Sequence, residues 1–167
     1  MKMISSARLR KAENALYNTR PYLEQLQRLL DRIAGTCGYI SPWSIERSVE
    51  KVAVVVFGSD EGLCGSFNLM LYKKLQEELL DREKGKKVEV YPVGKKILTE
   101  VKRTAGIEIK EIPELKVQKE HSNVMLSLAD ELMYRFLKKE VDRVDIIYAH
   151  YKSIGSQEMT CFQLLPW

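Results

Sequence analysis

A loop rich in glycine and acidic residues follows the most apolar segment of the sequence, and its residue types could do chemistry. It covers residues 58–68 and contains Asp60, Glu61 and Cys64. In a doubly wound sheet, the loop after the first strand usually holds nucleotide phosphates. Its three glycines lack the GxGxxG spacing, its acidic side chains would repel phosphate, and the sequence contains no GxxxxGK[ST]. The loop is therefore expected to serve backbone geometry and not nucleotide binding.

Cys64 is the candidate nucleophile of this loop, and it would need a base. The sequence has two histidines, His121 and His150, and neither stands in a recognisable catalytic arrangement with Ser, Asp or Cys. We interpret both as solvated or packing residues and Cys64 as a small buried one. The three cysteines are an odd number without a CxxC, which argues against a disulfide framework or a zinc site and fits a reducing compartment. We expect no catalytic, cofactor or metal site.

Alternating apolar strands and amphipathic helices surround this loop. The patterns predict strands over residues 51–57, 87–93, 107–112, 144–151 and 159–165, and helices over 67–82 and 95–103. A further helix begins near Ser122, a suitable N-cap. This alternation predicts an α/β sandwich with a mostly parallel sheet. The turn at Gly155 and Ser156 is too tight for a helical crossover, so the last two strands are expected to be antiparallel.

The positive charge of the sequence lies at one end. The chain has 167 residues, enough for one domain with an appendage, and a formal net charge of +4. Residues 1–33 contain seven basic and three acidic residues, so this segment carries the whole excess. The rest is neutral, which argues against a nucleic-acid or lipid surface on the body. The apolar run over residues 52–57 is too short for a membrane span, which needs about 20 residues.

The same basic segment carries a heptad pattern. Leucines recur every seven residues, and apolar residues follow three of them three positions later, with Thr19 as the one polar break. The seam consists of Leu9, Ala12, Leu16, Leu23, Leu26, Leu30 and Ile33. This a/d spacing is typical of a coiled coil, and about 33 helical residues would span roughly 50 Å. Pro21 is expected to kink or split the helix near residues 19–20, and the glycines at 35 and 38 to end it.

A helix of this length would overhang a domain of the remaining size, so we do not expect it to lie only on its own domain. A narrow a/d seam requires a partner helix, and the rest of the sequence offers none of comparable length. Either the chain associates through this helix, or the partner helix lies outside the sequence. The last six residues carry no polar tail, which also favours a fragment of a longer protein.

Several short motifs resemble those of one family. Residues 59–65 (SDEGLCG) follow a valine-rich strand and closely resemble the SDRGLCG signature of the gamma subunit of rotary ATP synthases. Two departures are Glu61, where the family usually has Arg, and Ser66, where a further Gly is common. Residues 2–12 (KMISSARLRKA) and 20–22 (RPY) resemble the family's first helix, and residues 94–96 (GKK) and 164–166 (LLP) are similar to two further motifs. The resemblance covers nearly the whole sequence.

This resemblance implies a fold and a role. It implies an N-terminal shaft helix over residues 1–36, a linker over 37–50 and a Rossmann-like foot domain over 51–167. The shaft helix would pair, antiparallel, with a C-terminal helix that this sequence lacks, inside a hexamer of alpha and beta subunits. The foot would contact the epsilon subunit and the c-ring. Such a non-catalytic rotor couples proton or sodium flow to ATP synthesis.

The resemblance also implies a location and a set of interface residues. The protein is expected at the cytoplasmic face of a bacterial membrane, or on the matrix or stromal side in an organelle. The interface residues are a basic band, the apolar seam and the glycine-rich loop: Lys2, Met3, Arg8, Arg10 and Lys11; Leu9, Leu16, Leu23, Leu26, Leu30 and Ile33; and Ser59, Asp60, Gly62, Leu63, Cys64 and Gly65. The basic band would meet acidic groups of the beta subunits, and a merely solvated face is its alternative. A nucleotide-binding α/β enzyme and a coiled-coil adaptor remain alternative functions.

Overall fold

The computed structural model describes residues 2–38, 40–59, 66–112, 122–153 and 155–167, without the side chains of residues 2–6, 37 and 122. The chain forms two compact units, Met1–Ser41 and Pro42–Trp167. The first unit is a helix, and the second is an α/β unit with a five-stranded sheet.

Helix α1 covers Lys2–Cys37. It is continuous through Pro21, so a split near residues 19–20 is wrong. Proline removes one backbone donor, and the turns on either side keep their own hydrogen bonds. Of the two glycines expected to end the helix, Gly35 lies inside it, whereas Gly38 follows Cys37 with a φ of +57° and ends it. Glycine adopts this left-handed conformation without the steric cost of a Cβ atom and is the usual residue after a helix end.

The sheet of the second unit has the strand order β3-β2-β1-β4-β5. The strands are β1 (Lys51–Phe57), β2 (Lys87–Val93), β3 (Ile107–Ile109), β4 (Arg143–Ser153) and β5 (Ser156–Leu165). Neighbouring strands are parallel except β4 and β5, which are antiparallel. The predicted mostly parallel α/β fold with an antiparallel last strand is therefore confirmed. β1 lies in the centre, where a run of valines is buried on both faces of the sheet.

Helices cover both faces of this sheet. Helices α2 (Phe67–Asp81) and α3 (Lys95–Val101) pack on one face, where Leu71, Leu75 and Ile97 join the even-numbered valines of β1. Helix α4 (Ser122–Leu137) packs on the other, where Leu132 and Phe136 join Ala53 and Val55. A short 3-10 turn, Pro42–Ser44, precedes β1, and its Trp43 packs against the cluster around α4.

Among the strands, the bounds differ from the sequence expectation at β3 and in the hairpin of β4 and β5. β3 has three residues where residues 107–112 were expected to be extended. β4 and β5 are longer than expected, because their polar residues continue the hairpin past the end of the central sheet. β4 pairs with β1 only over residues 143–147, whereas it pairs with β5 as far as Ser153. The outer part of the hairpin is a two-stranded ribbon.

Candidate interaction surface

The glycine-rich loop begins at the carboxyl end of β1, between two close backbone approaches. A Cβ atom on Gly58 would lie 2.5 Å from the Ile97 side chain, and one on Gly94 would lie 2.8 Å from the Ser59 carbonyl oxygen. Gly94 also has a φ of +123°. Both positions therefore require glycine. The turn brings β1, the end of β2 and α3 together.

Asn68 ties the two ends of this loop together. Its buried amide oxygen accepts a hydrogen bond from the Ser59 backbone N–H at 3.0 Å, and its amide nitrogen donates to the Ser59 hydroxyl at 2.8 Å. Of the loop residues predicted to form an interface, Ser59 is half-buried in this contact. Asp60, Gly62, Leu63, Cys64 and Gly65 lie outside the described residues, as does His121. The role of Asn68 was not foreseen, since an Asn at a helix start has no distinctive sequence signal.

The predicted basic band lies on α1. Arg8, Arg10 and Lys11 are exposed. The side chains of Lys2 and Met3 lie outside the described part of the chain, although their backbone is helical. The band is thus a surface from which three described cations project into solvent.

The apolar seam of α1 is also largely exposed. Leu23 and Leu26 are 59% and 53% exposed, and Leu9, Leu16 and Ile33 are exposed as well, whereas Leu30 is half-buried. One isolated exposed leucine is ordinary, whereas a repeated stripe of them along one helix is typical of a contact surface, and the use of this stripe as an interface stays a prediction. Each would contribute roughly 1.5–3 kcal/mol on full burial.

Within the described ranges, two networks of buried charges lie inside the α/β unit. Glu89 on β2 binds Arg135 of α4 through two hydrogen bonds and Lys51 at 2.9 Å. Burial raises the pKa of Glu89, but the hydrogen bonds and charges of Arg135 and Lys51 outweigh burial and hold that pKa below its ordinary value. Arg135 also donates to the Tyr91 hydroxyl at 2.6 Å. This network joins α4 to the sheet.

The second network lies around Arg143, which binds the carboxylates of Glu83 and Asp145. Burial raises the pKa of Asp145, with Arg143 opposing it. Burial and the negative charge of Asp145 raise the pKa of the Cys161 thiol to about 11, so Cys161 is a poor nucleophile near neutral pH. The ion pairs of both networks join elements of the α/β unit, and neither network contains a nucleophile paired with a base.

The described residues also form a pocket with a volume of about 650 Å³. It lies between α4, β2 and the residues that follow β3, and charges of both signs line it, including Lys110, Glu131 and Arg135. Within the described ranges, no three His, Cys, Asp or Glu side chains are grouped to hold a metal ion. None of the described helices is long and apolar enough to cross a membrane.

The sequence and the fold agree with one family. The model of the family described as ATP synthase matches residues 1–167. The ATP synthase gamma chain of Bacteroides fragilis is 38% identical over 169 residues, which cover 99% of this chain and 58% of the relative. That of Phocaeicola vulgatus is 35% identical over 170 residues, with the same shares. The chain therefore belongs to the ATP synthase family. Within it, the curated relatives are gamma chains, and the chain spans just over half their length.

A solved structure supports the same fold. A chain from the central stalk and c-ring of Tetrahymena thermophila mitochondrial ATP synthase superposes with a TM-score of 0.70 at 21% sequence identity. The match covers 99% of this chain and 70% of the other. At that identity the likeness shows the fold. The family resemblance seen in the sequence motifs is confirmed by the family model and by the gamma-chain relatives.

Proposed function

We propose that this chain supplies the first shaft helix and the α/β foot of a central-stalk rotor subunit in a rotary ATP synthase. The observation that carries the proposal is the exposed apolar seam of α1, in a chain whose whole length matches the ATP synthase family. A seam of this spacing is suited to a second helix, because interlocked helices resist twisting better than one helix alone. The subunit would transmit rotation and perform no catalysis itself.

The proposed partners follow from this role. The shaft would contact the alpha and beta subunits, and the foot would contact the epsilon subunit and the c-ring. The complex would be membrane-associated, with this subunit peripheral to the bilayer on the cytoplasmic side in a bacterium. The Tetrahymena structure contains a central stalk together with a c-ring, which supports the proposed contact with the ring.

A hybrid subunit tests the proposal. The part of the Bacteroides fragilis gamma chain that aligns with this chain is replaced by residues 1–167, and the hybrid is produced with that organism's other ATP synthase subunits. We expect the hybrid to co-purify with the alpha and beta subunits and to restore ATP-driven ion pumping in membrane vesicles. A folded hybrid that enters no complex, or that assembles without coupling, would contradict the proposal.

The basic band provides a second test, because we propose that it meets acidic groups of the beta subunits. Reversing Arg8 and Arg10 to Glu in the hybrid should lower coupled ATP synthesis. The matched control is the double variant Arg28→Glu and Arg32→Glu, which makes the same charge change at two exposed positions further along α1. Synthesis and hydrolysis that stay unchanged in the Arg8 and Arg10 variant would support a merely solvated face.

A further inference from the structure

We propose that Arg47 is a positioning residue, which locks residues 42–50 onto the end of α4 so that force carried along the chain enters the α/β unit through a braced segment. The inference rests on the proposed rotor function, since only a subunit under torque needs such a brace. Residues 42–50 connect the end of the first unit to β1, and they contain the 3-10 turn Pro42–Ser44.

Arg47 makes four contacts with the region where α4 ends. Its Nη2 atom donates hydrogen bonds to the carbonyl oxygens of Phe136 at 2.7 Å and Val141 at 2.6 Å. Its Nε atom donates to Oδ1 of Asp142 at 3.0 Å. Its guanidinium carbon lies 4.2 Å from the centre of the Phe136 ring. The three residues that Arg47 contacts all lie at least 89 positions away from it in sequence.

These contacts add donors to those that the backbone already supplies at the end of α4. The last carbonyl groups of a helix lack partners within the helix and need donors from elsewhere. Lys139 takes a φ of +61°, which ends the helix, and the chain then turns into β4. The Phe136 carbonyl accepts a hydrogen bond from the Lys139 N–H at 3.1 Å, and Arg47 adds a second donor to it and one to the Val141 carbonyl in the turn that follows. The segment before β1 therefore reinforces the end of α4.

Asp142 fixes the other end of the same segment. Its Oδ2 atom accepts hydrogen bonds from the backbone N–H groups of Glu50 at 2.9 Å and Lys51 at 3.0 Å. Its own N–H donates to the Lys51 carbonyl oxygen at 2.8 Å. Burial raises the pKa of Asp142, but the bonds from Glu50, Arg47 and Lys51 outweigh burial and keep that pKa below its ordinary value. One carboxylate thus holds Arg47 and the start of β1 together.

Trp43 supplies a third tie, at the start of the segment. Its indole N–H donates to the Met133 carbonyl oxygen at 3.4 Å, and its own carbonyl accepts from the Trp167 N–H at 2.9 Å. Without contacts to the rest of the α/β unit, the nine residues 42–50 could extend to roughly 30 Å under load. With ties at positions 43, 47 and 50, the load passes instead into α4 and the turn that leads from α4 into β4. Arg47 is the central tie and the one that carries a charge.

The hybrid gamma chain tests this role, with Arg47→Gln compared against Arg103→Gln. Arg103 is a cation of the same α/β unit, but its pair with Glu100 lies on the surface, away from α4. We expect Arg47→Gln to keep ATP hydrolysis and to lower the ions pumped per ATP by about twofold or more, whereas Arg103→Gln keeps that ratio. Asp142→Asn, which preserves side-chain shape, should show the same loss in smaller degree. It keeps the inference testable if Arg47→Gln assembles poorly.

Hydrogen exchange on the 167-residue chain provides the second readout. Arg47→Gln should speed exchange at the Glu50 and Lys51 amides by about tenfold or more, since a charged hydrogen bond that orients their acceptor is lost. Exchange at these amides should stay unchanged in Arg103→Gln. Equal coupling ratios in all variants, an equal loss in the Arg47 and Arg103 variants, or unchanged exchange would each overturn the inference alone. Failure of the parent hybrid to couple would overturn the proposed function, and this inference with it.

Discussion

Arg135 and Glu89 form a two-point ion pair, with Nη1 lying 2.5 Å from Oε2 and Nη2 lying 3.0 Å from Oε1. Glu89 is almost fully buried in β2, and Arg135 projects from α4. The pair therefore fastens the only described helix on its face to a strand next to the edge of the sheet. Lys51 shares the same carboxylate at 2.9 Å and brings β1 into the contact.

We predict that Arg135→Leu lowers the free energy of unfolding by about 3 kcal/mol, because breaking a buried pair leaves a carboxylate with too few partners. Urea unfolding followed by circular dichroism measures this change. Arg103→Gln is the matched control, since its pair with Glu100 lies on the surface and Arg103 is mostly exposed. That variant should stay within about 0.5 kcal/mol of the parent protein. If the two variants lost equal free energy of unfolding, the buried pair would contribute no more to stability than the surface pair, which would contradict the prediction.

The carboxylates predict the pH dependence of stability. The pKa values of Glu89 and Asp142 are lowered from ordinary values of 4.5 and 3.8, by bonds that outweigh burial. Their contribution to stability is present above those ordinary values and is lost as pH falls through the lower folded pKa. The pKa of Asp145 is raised by burial from 3.8, so ionisation of Asp145 costs stability as pH rises from that value through its folded pKa.

Two variants separate these opposite effects. Glu89→Gln should make the loss of stability in acid shallower, and Asp145→Asn should make it steeper. Urea midpoints measured between about pH 3 and pH 7 provide the comparison. Curves for both variants that run parallel to that of the parent protein would show that neither group is linked to folding as described.

The close approach at Gly94 predicts a strong substitution effect. Gly94→Ala introduces a Cβ atom 2.8 Å from the Ser59 carbonyl oxygen at a φ of +123°. Gly85→Ala is the matched control, because Gly85 also has a positive φ, of +81°, but open space around the added atom. The control should cost about 1–2 kcal/mol from backbone conformation, and Gly94→Ala should cost more because Ser59 must also move. Thermal unfolding of the two variants measures these losses of stability. Equal losses would contradict the close approach between Gly94 and Ser59.

The exposed seam predicts the behaviour of the 167-residue chain in solution. Residues 1–34 should be partly frayed or should associate through the stripe from Leu9 to Ile33, since a single helix of this kind is marginal in water. Leu23→Asp with Leu26→Asp should abolish association without changing the unfolding of the α/β unit. Leu80→Asp, at an exposed position on α2, is the control and should leave association intact. A strict monomer in sedimentation with a fully helical first segment would contradict this prediction.

The fold could be predicted well from the sequence where residue type and spacing depend directly on the local backbone conformation. The valine-rich β1 and the striped helices produce periodic apolar signals, and Gly38 has the residue type that ends a helix. The outer hairpin was underestimated, because residues such as Lys152 and Gln157 are polar on a two-stranded ribbon and produce no apolar alternation. Pro21 favoured a break, but the loss of one donor does not end a helix of this length.

The contacts that fasten the α/β unit could not be predicted from the sequence. Arg47 meets Asp142 across 95 positions, and Arg135 meets Glu89 across 46. Charged residues are common throughout the chain, and no spacing rule links those that meet only after the sheet has formed. The seam was predictable because all its residues lie on one helix. Whether it and the basic band act as interfaces stays a prediction.

Because β5 returns antiparallel to β4, Trp167 lies beside Trp43 and donates its N–H to the Trp43 carbonyl. The segments that precede β1 and follow β5 are therefore neighbours. The loops of the α/β unit between these segments can vary in length without separating the two segments. This arrangement gives evolution and protein engineering freedom to vary those loops while the junction of the two segments is preserved.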